Sequence, residues 1–408
     1  LEENKNNSSD FISDEIEPYC EGIEYEESII LQVKNIENID INISNKASWY
    51  QNLFAAYESP SSYIYDEFKN YYSAEVVFNF QSNIICKSDA RVRISGDWKD
   101  HIEMSNLSTS LDVKLDSGNI ENITRFKLFL PDTKRGDVEF INTSIMRELG
   151  FMVPRTNNVK VSVNNQKEAI YIFQEKIVKE FVEFNKKRES TLIETSEEFY
   201  WENRTKVDEE NEFLLLFGKI LNNDWVNKSN SNKFVGIEAL DSYNNILFNS
   251  PASFLYYDFN KEIYEQLLYF DVAMYALDSL HGLAPHNRKF YFDNIENKLY
   301  PIYYDADSQI ALRDRDIEIC NDSSELTSVL EYSCKNNFAH GAKTLLSRIN
   351  FDSKKIISNL EEELIFTDPE IVYEVFNKFI LNLEEISNIG IFNPNKIGEP
   401  IENFKKNL

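Results

Sequence analysis

The apolar positions along the chain change period once, and the change divides it into two parts. From Ser28 to Ile43 polar and apolar residues alternate, as in Ile30-Leu31-Gln32-Val33-Lys34, which is the pattern of a half-buried strand. Alternation returns between Ser73 and Phe140, where 74–80, 90–94, 110–115 and 125–130 each predict a strand. Asp116-Ser117-Gly118-Asn119 is the turn after the third of these, and Pro131 stops the fourth. Residues 138–149 predict a helix, with Gly150 where a left-handed cap belongs. A hairpin is expected from 159–163 and 169–173 around Asn164-Asn165, because Asn tolerates positive φ. A short helix follows over 176–185. The aromatic-rich stretch 50–72 shows no clear period, with a turn at Ser59-Pro60-Ser61.

From Glu209 onward the period is helical. Residues 211–221 and 264–280 are the clearest cases, and 327–348, 352–363 and 369–386 predict helices near the C-terminus. One strand pair, 288–292 with 298–304, interrupts them. A β-rich half followed by a mainly helical half is an α+β order.

Composition narrows the function classes. The chain has 408 residues, 69 acidic against 42 basic, and a net charge of −27. Such acidity excludes a general nucleic-acid binder, since phosphate attraction needs a basic face. No run of 18 apolar residues predicts a transmembrane helix. The charge is uneven. Residues 1–30 carry ten acidic residues and one basic, the pattern of a solvated arm, whereas 122–188 hold 13 basic against 8 acidic. The chain begins at Leu1, which fits a removed signal peptide or a trimmed fragment equally. Cys20, Cys86, Cys320 and Cys334 form no C-x-x-C pair. Cys320 and Cys334 are near enough in sequence to close a small loop in an oxidising compartment, and buried free thiols are the alternative.

Candidate chemistry concentrates in Asp278-Ser-Leu-His281-Gly-Leu-Ala-Pro-His286-Asn287 and in Pro301-Ile-Tyr-Tyr-Asp305-Ala-Asp307. Carboxylates at the exit of an apolar strand need a cation or a donor. Asp305, Asp307 and Asn287 are hard oxygen ligands of the kind Mg²⁺ or Mn²⁺ prefers. His281 and His286 lack further zinc ligands and are expected to shape their loop. Lys114 and Lys127 lie inside strands, where a lysine either faces solvent or holds a nucleotide phosphate as a fixed point charge. Glu175 is the carboxylate available to orient such a lysine, or an acid favoured by a helix N-terminus. Arg93-Ile-Ser95-Gly96 enters a polar loop suited to folding over a ligand. No Walker A or G-x-G-x-x-G motif occurs.

In order and spacing, these blocks resemble the CotH kinase family, the atypical secreted kinases related to a spore-coat protein. The blocks are Arg93-Ile-Ser95-Gly96, Ser110–Leu115, Phe126–Pro131, Arg147–Thr156, Val161–Asn164, Tyr171–Lys176, Asp278 with His286–Tyr291, and Pro301–Asp307, within roughly 75–312. The resemblance implies a divergent protein-kinase-like fold that binds ATP with Mg²⁺ or Mn²⁺. It implies an N-lobe-like region within 31–190 and a C-lobe-like region within 191–408, with the catalytic segment at 278–307; the acidic arm over 1–30 is read from its charge alone, and the resemblance does not account for the helices after about 320. By position, Asp305 with Asp307 is the metal-binding element and Asp278 the catalytic aspartate, with Asn287 assisting. Lys114 is the phosphate-pairing lysine, with Lys127 as its rival and Glu175 as carboxylate partner, and Arg93, Ser95 and Gly96 stand at the nucleotide loop. The family's Pro-Trp-Asp-Leu-Asp block is replaced here by Tyr303-Tyr304 before Asp305, and Ser95-Gly96-Asp97 stands where many members have Arg-Gly-Asn.

The expected activity is transfer of the ATP γ-phosphoryl group to Ser/Thr of exported proteins, at a secreted, periplasmic or cell-surface location. Two other readings remain open. One is a non-catalytic surface or assembly protein on a degenerate kinase fold. The other is a glycosyltransferase using Asp305-Ala306-Asp307 to hold its metal.

Overall fold

The computed structural model describes residues 19–21, 31–81, 84–196, 198–203, 206, 215–248, 261–312 and 328–388. The acidic arm lies outside the described residues except for Tyr19–Glu21, as do Cys320, the start of the strand expected over 28–43 and the first residues of the helix expected over 211–221.

In chain order the elements are β1 (Tyr19–Glu21), β2 (Ile36–Ile43), α1 (Lys46–Glu58), β3 (Tyr72–Phe80), β4 (Ile84–Ile94), β5 (Ile102–Glu103), β6 (Ser108–Thr109), β7 (Leu111–Leu115) and β8 (Arg125–Phe129). Then come α2 (Asp137–Glu148), β9 (Thr156–Val163), β10 (Ala169–Glu175), α3 (Lys179–Phe184), β11 (Leu192–Ser196), α4 (Glu198–Asn203) and β12 (Phe217–Ile220). The remainder are α5 (Asn223–Val226), α6 (Asn230–Phe248), α7 (Lys261–Ala276), β13 (Lys289–Asp293), β14 (Lys298–Ile302), α8 (Ser328–Arg348), α9 (Ser353–Glu362) and α10 (Pro369–Asn388). The protein is thus mixed α/β, with a β-rich N-terminal half and a mainly helical C-terminal half. It divides into two compact units, 1–126 with 159–169, and 127–158 with 170–408.

The first unit is a sheet in the order β1-β4-β3-β2-β9, with β7 also paired to β4. The β2–β9 pairing is parallel, and β1–β4, β2–β3, β3–β4 and β4–β7 are antiparallel. Alternation explains the register. Val76, Val92, Ile94, Leu111 and Val113 are fully buried, while the residues between them in β3 and β4 reach solvent. The Asn164-Asn165 turn has the expected positive φ, 54° and 64°, and Asn164 Oδ1 accepts from the Ile43 amide at 2.9 Å. Within the stretch that showed no period, α1 buries Trp49, Leu53 and Ala56, an i, i+4, i+7 set. Its N-cap Asn45 accepts from the Ser48 amide. Cys20 and Cys86 face each other in the β1–β4 register and form a disulfide.

The second unit is centred on α7. Its Val272, Ala273, Tyr275 and Ala276 pack in one core with residues of α2, α9 and α10, among them Ile141, Ile145, Ile356, Val375 and Phe379. A four-stranded sheet, β12-β11-β13-β14, lies in the same unit. This corrects the expected helix over 211–221, because 217–220 is a strand paired with β11. Phe213–Phe217 is an apolar run too short to separate helix from strand by period. Within the strand, Gly218 lies close under Tyr243, where a Cβ would come within 2.6 Å of the ring, an approach that a glycine permits. Gly150 ends α2 at φ 84°, as its position predicted. Among the described residues, no helix is long and apolar enough to cross a membrane.

Candidate functional site

Three chain turns of the second unit meet at Asp305. The first follows β8. Pro131 ends that strand and starts a 3-10 turn, Pro131–Lys134, in which Thr133 Oγ1 donates to the Leu130 carbonyl at 2.7 Å. Arg135 and Gly136 then take positive φ, 60° and 56°, before α2 begins. The turn leaves Lys134 only 3% exposed and Arg135 at 36%.

The second turn follows β14. Tyr303 is held by its amide, which donates to the Met152 carbonyl at 2.9 Å, and by its hydroxyl, which donates to Glu139 at 3.1 Å. Asp305 and Asp307 both have positive φ, 50° and 41°, with the fully buried Ala306 between them. Side chains other than glycine occupy this region at a cost, and three aspartates near one another share it here. The third of them is Asp278, φ 49°, at the end of α7. Its carbonyl accepts from the Gln309 amide at 3.0 Å, and Ser308 Oγ donates to the Leu277 carbonyl at 2.5 Å, so the α7 terminus and the Asp305 turn are stitched together.

Gly282 lies where these turns touch. A Cβ on it would fall 2.8 Å from the Tyr304 carbonyl oxygen and 2.6 Å from Met274 Cε. Met274 can yield, but the Tyr304 backbone carries Asp305. Gly282→Ala is therefore expected to cost about 1–3 kcal/mol and to shift the Asp305 turn. Chemical denaturation reads the first effect, and loss of ligand-induced stabilisation reads the second.

The charges at this corner are matched in pairs. Lys134 Nζ forms a short ion pair with Asp305 Oδ1, and His281 Nε2 lies 3.4 Å from Asp305 Oδ2. Arg135 Nε donates to Asp307 Oδ1 at 2.7 Å and its Nη2 to Oδ2 at 3.3 Å. Burial by itself would raise the Asp305 carboxyl, but the Lys134 charge, with the hydrogen bond and charge of His281, holds it well below the usual carboxylate range. Burial works against the Lys134 ammonium as well, and the opposing charge of Asp305, with Tyr304 and Glu139, raises it above the ordinary lysine value. His281 is raised mainly by its hydrogen bond to Asp305.

Beside these pairs, Tyr304 is surrounded by cations. Lys289 Nζ lies 4.4 Å from its ring centre, Lys134 at 5.7 Å and Lys127 at 5.8 Å, and Lys127 Nζ is 3.4 Å from the Tyr304 hydroxyl. Lys289 also pairs with Glu194. Three lysines gathered around one ring raise the local positive potential, with Lys134 paired to Asp305 and Lys289 to Glu194. Behind Lys134, Glu139 is buried on α2. Its Oε1 accepts from Gln174 Nε2 at 3.2 Å, and burial pushes its carboxyl up to about 7 against the pull of Lys134.

The structure therefore joins Asp305, Asp307, Asp278 and Lys127 to one corner. Asn287, nine-tenths buried, takes part through its side-chain amide, which donates to the His281 carbonyl at 2.9 Å. Lys134, Arg135, Lys289 and Glu139 were not singled out by sequence. Lys134 and Arg135 were signalled only by the net positive charge of 122–188 and by being a basic pair between a strand-ending proline and a helix; Lys289 stood within the block His286–Tyr291, and Glu139 had no signal. Glu175 instead binds Arg155, with Oε1 accepting from Nη2 at 2.5 Å and Oε2 from Nε at 2.9 Å. Lys114, Arg93, Ser95 and Gly96 belong to the first unit. There Lys114 sits opposite Arg91 in the β4–β7 register, and Arg93 Nη2 pairs with Asp112 at 2.8 Å. The Ser95 amide donates to the Ser110 carbonyl at 2.8 Å. Gly96 has φ 99°, and the space a Cβ would take holds the His101 ring, 2.1 Å away.

As arranged, Asp305 and Asp307 do not form an open divalent-cation site. Each carboxylate is already compensated by a cationic side chain, and among the described residues no group of three or more His, Cys, Asp or Glu is placed to hold a metal.

No protein-family profile matches the chain, and no curated protein matches it. Among solved structures it is similar to the Helicobacter pylori proinflammatory kinase CtkA, at a TM-score of 0.35 and 12% identity, over 70% of this chain and 94% of that one. It is also similar to the Shewanella oneidensis MR-1 toxin–antitoxin system HipA, in a structure of HipA, HipB and operator DNA, at a TM-score of 0.29 and 10% identity, over 78% of this chain and 66% of that one. Likenesses this distant leave the role of the corner to its own chemistry.

Proposed function

We propose that the chain is a kinase-like phosphotransferase, CotH-like in its sequence blocks, that moves the γ-phosphoryl group of ATP to Ser/Thr hydroxyls of exported or surface proteins. The observation that carries this reading is the corner at Tyr304–Asp305, where a partly buried carboxylate pairs with Lys134 while Lys127 and Lys289 lie around the adjoining Tyr304 ring. Phosphoryl transfer asks little covalent work of a protein. It needs cations where phosphate charge gathers and a carboxylate near the attacking hydroxyl. In this reading the lysines hold the phosphate chain. The acceptor oxygen bonds to the γ-phosphorus as the bond to the β–γ bridging oxygen breaks, ADP leaves, and Asp278 takes the hydroxyl proton. Export is supported by the Cys20–Cys86 disulfide, since such bonds persist in oxidising compartments.

The test is ligand-induced stabilisation followed by transfer of label from γ-labelled ATP to Ser/Thr proteins. ATP at about 100 times its Kd should stabilise the protein by about 2.7 kcal/mol. Lys127→Met should weaken that binding, whereas Asp278→Asn should keep binding and lose transfer. Stabilisation by a UDP-sugar and not by ATP would favour the glycosyltransferase. No response to any nucleotide, with or without Mg²⁺ or Mn²⁺, would leave the non-catalytic assembly role.

A further inference from the structure

In the first unit, part of the stretch that showed no period meets the loop after β4. The Ile64 amide donates to the Asp97 carbonyl at 2.8 Å and the Lys99 amide to the Ser62 carbonyl at 3.0 Å. Tyr63 and Trp98 are partners in an isolated antiparallel bridge, and the fully buried Ile64 anchors the two segments. Three rings gather on this frame. Tyr63 packs edge to face on Tyr65 at 5.9 Å and on Trp98 at 6.1 Å between ring centres. Tyr65 and Trp98 remain 44% and 47% exposed. Large rings clustered in water and fixed by backbone bonds are the side chains that dominate protein interfaces.

The same segments are acidic at their surface. Asp66 and Glu67 follow Tyr65, Asp97 and Asp100 flank Trp98, and all four are exposed. The unit also shows how such groups combine. Lys69 Nζ lies 5.1 Å from the Tyr63 ring centre and 2.6 Å from Asp97. Arg93 Cζ lies 4.7 Å from the Tyr71 ring centre, and its Nη2 pairs with Asp112 at 2.8 Å. Each is a cation on a ring face with a carboxylate beside it.

We propose that Tyr65 and Trp98 dock a basic segment of another protein, with Lys or Arg side chains over the two rings and Asp66, Glu67 and Asp100 beside them. A ring face and a carboxylate attract the same cation, and the apolar stem of a lysine or arginine covers the ring. A neutral partner would leave those carboxylates uncompensated at the contact, and an acidic one would be repelled. The proposal does not rest on the phosphotransferase reading, whose residues lie in the second unit.

The experiment titrates a short fluorescein-labelled Lys-Gly repeat peptide onto the full chain and reads anisotropy. The salt is about 0.15 M, where attraction to distant acidic residues is screened beyond roughly 8 Å. A Gln-Gly repeat of the same length and the neutral saccharide chitotriose are the comparisons. Trp98→Leu and Tyr65→Leu keep the net charge and an apolar side chain but lose the ring, so each should weaken the lysine peptide by about fivefold or more. Trp98→Phe keeps a ring face and should hold most of the affinity. Phe234→Leu removes an exposed ring from α6, outside the cluster, and should change affinity by less than about twofold. Should Trp98→Leu loosen its loop, Tyr65→Leu still decides the matter, with the urea midpoint as the check on folding. The proposal is overturned if the wild type does not bind the lysine peptide, or if it binds the glutamine peptide equally well. It is overturned too if both leucine variants bind like Phe234→Leu, which would mark a general attraction to an acidic protein. Chitotriose binding that depends on Trp98, without binding of the lysine peptide, would make the rings a saccharide platform instead.

Discussion

Asp305→Asn is expected to cost the protein about 3–5 kcal/mol, the usual loss when one partner of a buried ion pair is removed. The reason lies in Lys134 rather than in Asp305. The carboxylate is 28% exposed and retains some access to water, whereas the ammonium is almost wholly enclosed between the rings of Phe129 and Tyr304. Without its partner, Lys134 must stay charged in an apolar setting or release its proton. Glu139 offers a second negative charge only by giving up the proton that its own burial favours. Lys134→Met/Asp305→Asn should therefore recover most of the loss, to within about 1 kcal/mol of wild type, because paired removal of buried charges is often close to neutral. Urea denaturation of the four proteins in this cycle measures the coupling. If the double variant is as unstable as Asp305→Asn, the cost lies in the backbone turn and not in the stranded lysine. The pH sign agrees with the pairing. A carboxyl held below its ordinary value contributes stability above the unfolded value of 3.8 and loses it as pH falls through the folded value.

The same pair explains what was legible in the sequence and what was not. Local periodicity and turn chemistry predicted β3, β4 and β7, the Asn164-Asn165 turn, the Gly150 cap and the helices after 327, because each is decided by residues a few positions apart. Strand exit into two aspartates was visible for the same reason. Lys134 was not, since a lysine after Pro131 in a turn reads as solvent-facing. Its burial depends on a carboxylate 171 positions away. Strand β12 was missed because its pairing with β11 and the ring over Gly218 are tertiary facts. Helix α1 was missed because only Trp49, Leu53 and Ala56 face inward, while Phe54 and Tyr57 are exposed and blur the period. A carboxylate at a strand end suggested a lysine partner for Glu175; its oxygens accept from Arg155, which directly precedes β9, a contact set by the fold and not by local sequence.

Glu139 should make the fold less stable as pH rises through neutrality, and Glu139→Gln should remove that loss. Its carboxyl is pushed up from 4.5 to about 7, first by burial and further by the Asp305 charge, against the pull of Lys134 and the hydrogen bonds from Tyr303 and Gln174. Between those two values the folded protein holds a proton that the unfolded chain has released, so stability falls with rising pH. The full decline is about 3 kcal/mol, at 1.36 kcal/mol for each unit of separation. It is complete by about pH 8, one unit above the folded value. His281 acts in the same direction, because a histidine raised by Asp305 contributes stability below its unfolded value of 6.5 and loses it as pH passes its folded value. The two are separable by substitution. Gln at 139 keeps an oxygen for Gln174, and the Tyr303 hydroxyl can turn to accept from the new amide, so both contacts survive without a charge. Denaturation from pH 5 to 8.5 should show the two proteins converging at the acid end and the variant gaining up to about 3 kcal/mol at the basic end, with a residual slope from His281 in both. A constant difference across that range would mean that the Glu139 carboxyl does not titrate there, and that Lys134 keeps it ionised throughout.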